Sequence, residues 1–172
     1  GLVEAINLER ELLQPVRSAA DLVIDTTDLN VHQLKTKLLA SFDEAGDGQR
    51  LQIAVESFGY KHGLPIDADI VMDVRFLPNP HWDDALLPLT GHDPTVRDFV
   101  LERAQASDFL GRFEALMKAL LPAYEAEGKS YLTMAFGCTG GRHRSVAVAE
   151  ELARRLRDHG YAVHTGHRDL AR

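Results

Sequence analysis

The sequence predicts an α/β fold in which a mostly parallel sheet is flanked by helices. Short apolar runs that are typical of strands alternate along the chain with longer segments whose apolar residues recur at helical spacing. Strands that are separated by helices favour parallel pairing, because a crossover connection returns the chain to the same end of the sheet. Ligands of such sheets bind beyond the carboxyl ends of the strands, so the loops that follow strands are candidate sites.

The first part of the chain contains three predicted elements and then a linker. The apolar pattern predicts a helix, a buried strand and a second helix, over residues 2–18, Ala20–Asp25 and Leu29–Phe42. Asp43–Arg50 is polar, charged and glycine-containing, which is typical of a linker. We therefore predict a domain boundary there, between residues 1–45 and residues 50–172.

The second part of the chain carries the predicted sheet. Leu51–Phe58 alternates apolar and polar residues as a half-buried strand does, and three further strands are predicted over Ala68–Val74, Tyr131–Phe136 and Tyr161–Thr165. Helices are predicted over Pro94–Ala104, Ser107–Glu127 and Arg144–His159. Arg75–Pro94 holds four prolines, which exclude a regular helix or a central strand, and a long irregular loop of this kind is typically functional.

Charge and composition exclude several classes of protein. The formal net charge of −7 argues against a broadly basic nucleic-acid binder, although residues 142–172 contain seven arginines against four acids. That local surplus of positive charge indicates either an anionic partner or a solvated helix face on which i,i+4 ion pairs partly cancel the charge. The single cysteine excludes an internal disulfide and a Cys-based zinc site, and the histidine spacing predicts no metal site. No apolar run is long enough for a bilayer, so we expect a cytoplasmic protein without a membrane partner.

Gly137–Ser145, with the sequence Gly-Cys-Thr-Gly-Gly-Arg-His-Arg-Ser, is the most informative segment. It connects a predicted strand to the start of a predicted helix. Glycines allow backbone N–H groups to turn toward a ligand, and the first turn of a helix adds N–H groups that have no partner within the helix. The arrangement predicts a site for a phosphate-like anion.

One interpretation of this segment is enzymatic. Five residues separate Cys138 from Arg144 and Ser145 follows, which fits the Cys-x5-Arg-Ser/Thr signature of cysteine-dependent phosphatases. A thiolate at a helix N-terminus has a lowered pKa, Arg can grip phosphoryl oxygens, and Asp83 or Asp84 would protonate the leaving group. However, those enzymes usually carry His at the place of Gly137. We favour a small buried Cys138 and keep the phosphatase as the alternative.

The favoured interpretation is binding without covalent chemistry. Residues 139–144 would hold the phosphate of a sugar phosphate or of a nucleic-acid backbone, and His81 would approach from the proline-rich loop at Arg75–Pro94. Trp82, beside leucines, is predicted to pack rather than to stack on a ligand. Asp73 and Arg75 are predicted to form a structural ion pair. The chain contains no Gly-x4-Gly-Lys-Ser/Thr and so lacks a nucleotide-binding P-loop of its own.

Several long motifs resemble the RapZ family of RNase adapter proteins, also known as the YvcJ-type P-loop family. They are Ser57–Pro65, Asp73–Trp82, Leu89–Gly91, Gly128–Thr133, Gly137–Ser145 and His167–Leu170. The resemblance implies a C-terminal domain that is similar to a phosphofructokinase subdomain. It also implies that residues 1–45 are the tail of a P-loop domain whose ATP- or GTP-binding motifs lie upstream of Gly1.

The resemblance further implies a regulatory protein rather than an enzyme. The C-terminal domain would sense glucosamine-6-phosphate, bind small RNA, present that RNA to an endoribonuclease and self-associate, so controlling amino-sugar synthesis. The implied phosphate-binding residues are His81, Thr139, Gly140, Gly141, Arg142, His143, Arg144 and Ser145. Arg168 and Arg172 are the implied RNA contacts, although the relatives that bind RNA end in a Lys/Arg-rich tail, whereas this sequence ends at Arg172.

Overall fold

The computed structural model describes residues 1–20, 23–27, 31, 34, 51–66 and 68–171. The chain divides into two compact units, Gly1–Asp47 and Gly48–Arg172. None of the helices in these described ranges combines the length and the apolar character that crossing a bilayer requires.

In the first unit, residues Leu2–Ala19 form the helix α1, as their apolar spacing predicts. The strand predicted over Ala20–Asp25 is wrong for residues 20 and 23–25, which the structure places outside any strand. A strand needs a paired neighbour, and the described residues of this unit contain no other strand. Of the helix predicted over Leu29–Phe42, residues 31 and 34 are helical, and the remainder lies outside the described residues, as does the predicted linker.

The second unit is built on a four-stranded sheet, and it confirms the predicted α/β class. Its strands are β1 (Gln52–Gly59), β2 (Ile70–Asp73), β3 (Tyr131–Cys138) and β4 (Ala162–His167). The strand order is β2-β3-β1-β4, and every pair is parallel. The helices are α2 (Pro94–Leu101), α3 (Ala104–Ala126) and α4 (Arg144–Asp158). Two single-turn 3₁₀ helices cover Tyr60–His62 and Pro80–Trp82.

The core lies between the sheet and its helices. Residues that alternate along β1, such as Ile53 and Val55, are fully buried, as the alternation of the sequence predicts. Helix α4 buries nine of its fifteen residues, mostly alanines and valines, so it lies close against the sheet. Burying a single side chain such as Leu152 contributes about 1.5–3 kcal/mol to folding.

The strand register places three strand ends level with one another. Gly59 at the end of β1 pairs with Cys138 at the end of β3, and Asp73 at the end of β2 pairs with Gly137. The loops after β1, β2 and β3 therefore open on one edge of the sheet. The loop after β2 is irregular apart from the 3₁₀ turn at Pro80–Trp82, as its prolines predict.

Candidate anion-binding site

A cavity of about 540 Å³ opens at this edge of the sheet. Its walls come from the turn after β1, from the proline-rich loop that follows β2 (residues 74–93) and from the glycine-rich loop between β3 and α4 (residues 139–143). The lining residues are Lys61, Asn79, His81, Trp82, Leu87, Cys138, Thr139, Gly140, Arg142, His143 and Arg144. Three of these side chains are cationic and none is acidic, so the cavity favours an anion.

The glycine-rich loop has its shape because it lies directly against the end of β1. Gly141 has a φ of +78°, in the left-handed region that favours glycine. A Cβ on Gly141 would stand 2.7 Å from the backbone nitrogen of Gly59. The Gly59 N–H in turn donates to Asp169 Oδ2 at 2.8 Å, which fixes the strand end from the other side. The close approach of these backbones fixes the glycine-rich loop, whose residues Gly140 and Arg142 line the cavity.

Arg144 joins the two main walls of the cavity. Its Nη1 donates to the carbonyl oxygens of Arg75 and Leu77 at 2.8 and 3.1 Å, and its Nη2 donates to Thr139 Oγ1 at 3.2 Å. Only 5% of the residue is exposed. Burial lowers the pKa of Arg144, while the neighbouring Cys138 and Asp73 oppose that shift. The guanidinium therefore holds the loop after β2 against the start of α4.

Arg142 makes a similar connection further along the proline-rich loop. Its Nε donates to the carbonyl oxygen of Leu89 at 3.2 Å, and its Nη2 donates to that of Pro88 at 2.8 Å. The Gly91 N–H returns a hydrogen bond to the Arg142 carbonyl at 2.9 Å. Arg142 and Arg144 are thus both engaged in holding the walls together.

His143 and Arg144 each present a buried polar atom without a partner. Among the described residues, no hydrogen bond reaches His143 Nε2 or Arg144 Nε. Burial lowers the pKa of His143, and the charges of Arg142 and His81 lower it too, while hydrogen bonds to the backbone of Leu89 and Leu87 oppose the shift. A neutral His143 at pH 7 follows. An unsatisfied buried polar atom costs about 1–3 kcal/mol, which an incoming ligand group would relieve.

Cys138 lies at the base of the cavity and is 3% exposed. Its Sγ accepts from the Gly141 N–H at 3.2 Å and lies 3.1 Å from Ser145 Oγ. Burial raises the pKa of the thiol, but hydrogen bonds from Ser145 and Gly141, together with the Arg144 charge, outweigh it and lower the net pKa. The predicted burial of Cys138 is confirmed, and its thiol is more acidic than an ordinary one.

The rim of the cavity carries exposed side chains from the two other loops. Trp82 is 84% exposed and lies edge-on to His81, with ring centroids 5.8 Å apart. The prediction that Trp82 is a packing residue is wrong, because the short 3₁₀ turn leaves its side chain exposed while Leu86 is the residue that enters the core. The ring is available to a ligand at the rim.

The predicted site residues divide into lining and supporting positions. Six of the eight line the cavity: His81, Thr139, Gly140, Arg142, His143 and Arg144. Gly141 and Ser145 lie behind the lining, where they contact Cys138. Sequence reasoning missed Lys61 and Asn79, although Lys61 follows a predicted strand and so satisfies the same strand-end rule.

Other candidate residues lie away from the cavity. Asp83 and Asp84 do not line it, and Asp83 Oδ1 accepts from the Ala85 N–H at 2.9 Å. Asp73 and Arg75 form the predicted ion pair, with Oδ2 and Nη2 separated by 2.6 Å.

Arg168, implied as an RNA contact, donates to the Gly63 carbonyl at 2.7 Å and to Asp169 Oδ2 at 2.8 Å. These bonds hold its guanidinium against the turn after β1. Arg172, the other implied RNA contact, lies outside the described residues.

Comparison with known proteins decides the family. The RapZ C-terminal domain matches residues 51–171, and the RapZ-like N-terminal domain matches residues 1–46. The chain belongs to the RapZ family. The family resemblance drawn from the motifs is therefore confirmed.

Relatives of this RapZ-family chain come from several bacteria and are named nucleotide-binding proteins. The protein of Thermobifida fusca is 55% identical over 171 residues, which cover 99% of this chain and 58% of the relative. That of Geobacter metallireducens is 55% identical over 167 residues, covering 97% and 59%. That of Mycobacterium avium is 52% identical over 175 residues, covering 99% and 58%. The chain thus spans less than two thirds of the length of these relatives.

Proposed function

We propose that the cavity binds a phosphorylated amino sugar such as glucosamine-6-phosphate and that the domain acts as a regulatory sensor. The observation that carries the proposal is the lining itself, in which three cationic side chains and the start of α4 meet without any carboxylate. The volume of about 540 Å³ falls in the range of small-molecule sites, about 300–1,000 Å³.

The lining also offers groups for the sugar. Asn79, Thr139 and His143 supply hydrogen-bonding groups beside the cationic part of the cavity. The exposed faces of Trp82 and Leu87 can pack on the apolar face of a sugar ring. A phosphate at the start of α4 with the ring toward Trp82 would use both parts of the lining.

Lys61 gives the sharpest test of this proposal, because Arg142 and Arg144 also hold the cavity together. Calorimetry with glucosamine-6-phosphate should show that Lys61→Ala loses about 1.5–3 kcal/mol, a charge-assisted hydrogen bond, or about ten- to a hundredfold in Kd. Lys118→Ala is the matched control, since Lys118 lies on α3 and pairs with Glu114 at 3.4 Å. Glucosamine without phosphate should not bind. Equal affinities of Lys61→Ala and the wild-type chain for the phosphosugar would contradict the proposal.

For the longer protein we propose the remaining functions that the family implies. They are ATP or GTP binding in the part that precedes this chain, in line with the names of the relatives, and presentation of small RNA to an endoribonuclease by a homo-oligomer in the cytoplasm. RNA contact through the basic C-terminal region predicts a steep loss of affinity with salt. A flat salt response would argue against it.

A cysteine-dependent phosphatase is the second candidate, and the acidic thiol of Cys138 favours it. The thiolate would attack phosphorus and displace the leaving oxygen, which needs a proton. The cavity lining includes no carboxylic acid to supply that proton, and Arg144 already donates to two backbone carbonyls. Turnover of an aryl phosphate that Cys138→Ser abolishes would establish the phosphatase and refute binding without cleavage.

A further inference from the structure

Outside the cavity, two histidines and a glutamate meet although they are far apart in the sequence. His92 precedes α2, Glu150 lies on α4 and His167 ends β4. One ligand atom from each lies within 4.8 Å of the other two. We infer that these three side chains form a binding site for a divalent transition-metal ion of the Zn²⁺ type.

The geometry around His167 supports this inference. Its Nε2 lies 2.8 Å from Glu150 Oε1, and its other nitrogen, Nδ1, lies 2.8 Å from Ser57 Oγ. Ser57 is fully buried, and only 11% of the His167 side chain is exposed. Metal-binding histidines characteristically use one ring nitrogen for the metal while a hydrogen bond at the other fixes the orientation of the ring. Ser57 supplies that second contact from the neighbouring strand.

The types of ligand select the class of metal. Two imidazoles and one carboxylate match Zn²⁺ and related ions such as Co²⁺ and Ni²⁺, whereas Mg²⁺ and Ca²⁺ prefer oxygen ligands alone. Ligand bonds of about 2.0–2.1 Å around a tetrahedral ion place donor atoms about 3.3 Å apart. The exposed His92 can close that distance by changing its side-chain rotamer, since its ring already lies edge-on to His167 with centroids 4.7 Å apart. The fourth position is left for water.

The site joins three parts of the second unit. His92 is adjacent to Gly91, whose N–H donates to the carbonyl of Arg142 in the cavity wall. An ion would therefore link the start of α2 to α4 and β4 beside that wall. Binding should raise the thermal midpoint of the protein in proportion to the logarithm of the free metal concentration once the site is saturated.

The test is calorimetric titration of the 172-residue chain with ZnCl₂, supported by the visible absorption of Co²⁺. We expect one ion per chain and the intense absorption bands of tetrahedral Co²⁺. His92→Ala should weaken Zn²⁺ binding at least tenfold, and Glu150→Gln should weaken it as well. His164→Ala is the matched control, because this exposed histidine lies on β4 outside the cluster.

Two results would overturn the inference. One is the absence of stoichiometric Zn²⁺ binding by the wild-type chain. The other is undiminished binding in both His92→Ala and Glu150→Gln, which would place the ion elsewhere. Because His92 is exposed, its variant should keep the metal-free thermal midpoint, so that any loss of affinity reports the site and not the fold.

Discussion

Replacing Arg144 with methionine tests whether this residue holds the cavity walls together. Methionine keeps the length and much of the volume of the side chain but removes every hydrogen-bond donor. The carbonyl oxygens of Arg75 and Leu77 and the hydroxyl of Thr139 all lose their bond from the guanidinium. The loop after β2 then loses its connection to the start of α4.

The expected cost follows from these three bonds and from burial. Hydrogen bonds to a charged group contribute about 1.5–3 kcal/mol each, so an upper figure is several kcal/mol. Methionine offsets part of this loss, because the arginine is 5% exposed and its charge is disfavoured there, as its lowered pKa shows. We therefore expect Arg144→Met to lower the free energy of unfolding by about 2–4 kcal/mol.

Urea unfolding followed by circular dichroism measures this change. The fluorescence of Trp82, the one tryptophan of the sequence, reports on the loop separately. Arg97→Met is the control, because Arg97 is 53% exposed in its pair with Asp98, and an exposed pair contributes about 0–1 kcal/mol. A loss in Arg144→Met no larger than that of the control would refute the idea that the guanidinium supports the cavity.

Two further substitutions test the loop backbone and a surface charge cluster. Gly141→Ala should cost about 2–4 kcal/mol in thermal or urea unfolding, from the positive φ and the 2.7 Å contact, whereas Gly128→Ala, with φ +82° and open space, should cost about 1 kcal/mol. Equal losses of unfolding free energy in the two variants would show that the loop moves to accept the added methyl group, and would contradict a tight contact with β1. The His159 hydrogen bond, with Arg155 and Lys118, lowers the pKa of Glu114 to about 2, below its unfolded value of 4.5. Its stabilisation is therefore complete above pH 4.5 and is lost toward pH 2, so Glu114→Gln should cost about 1–2 kcal/mol at pH 7 and progressively less in acid. A pH-independent difference in the unfolding free energy would contradict this cause.

Much of the second unit follows from local sequence signals. The alternation of Leu51–Phe58 locates β1 to within one residue, and α4 begins at Arg144 as predicted. The strand prediction over Ala20–Asp25 fails at the described residues of that segment, because a short apolar run carries no information on whether a partner strand exists. Strand pairing depends on segments that are distant in the sequence, whereas the apolar run is a local feature of six residues.

In the site, too, local sequence signals predict some residues, while only the fold brings the others together. Residues 139–144 are consecutive, so a single motif predicts them together. Lys61 joins them only because the ends of β1 and β3 are level, a register that the sequence does not state. His92, Glu150 and His167 come from three separate elements, so spacing along the chain predicts no metal site although the fold brings the ligand atoms within 4.8 Å.

The Cys-x5-Arg spacing has a structural role in this fold, because it places both residues where they hold the loops around the cavity. In a phosphatase the arginine must be available to the phosphoryl group, whereas Arg144 is held by backbone carbonyls of the proline-rich loop. Cys138, at the base of the cavity, forms a buried hydrogen-bonded group with Ser145 and Gly141, which lie behind the lining. This group fixes the turn that brings the backbone and Thr139 to the cavity, while exposed Lys61 stands at the rim. The arrangement favours recognition, because the groups that approach an anion are hydrogen-bond donors, and the described residues that line the cavity include no carboxylic acid that could protonate a leaving group.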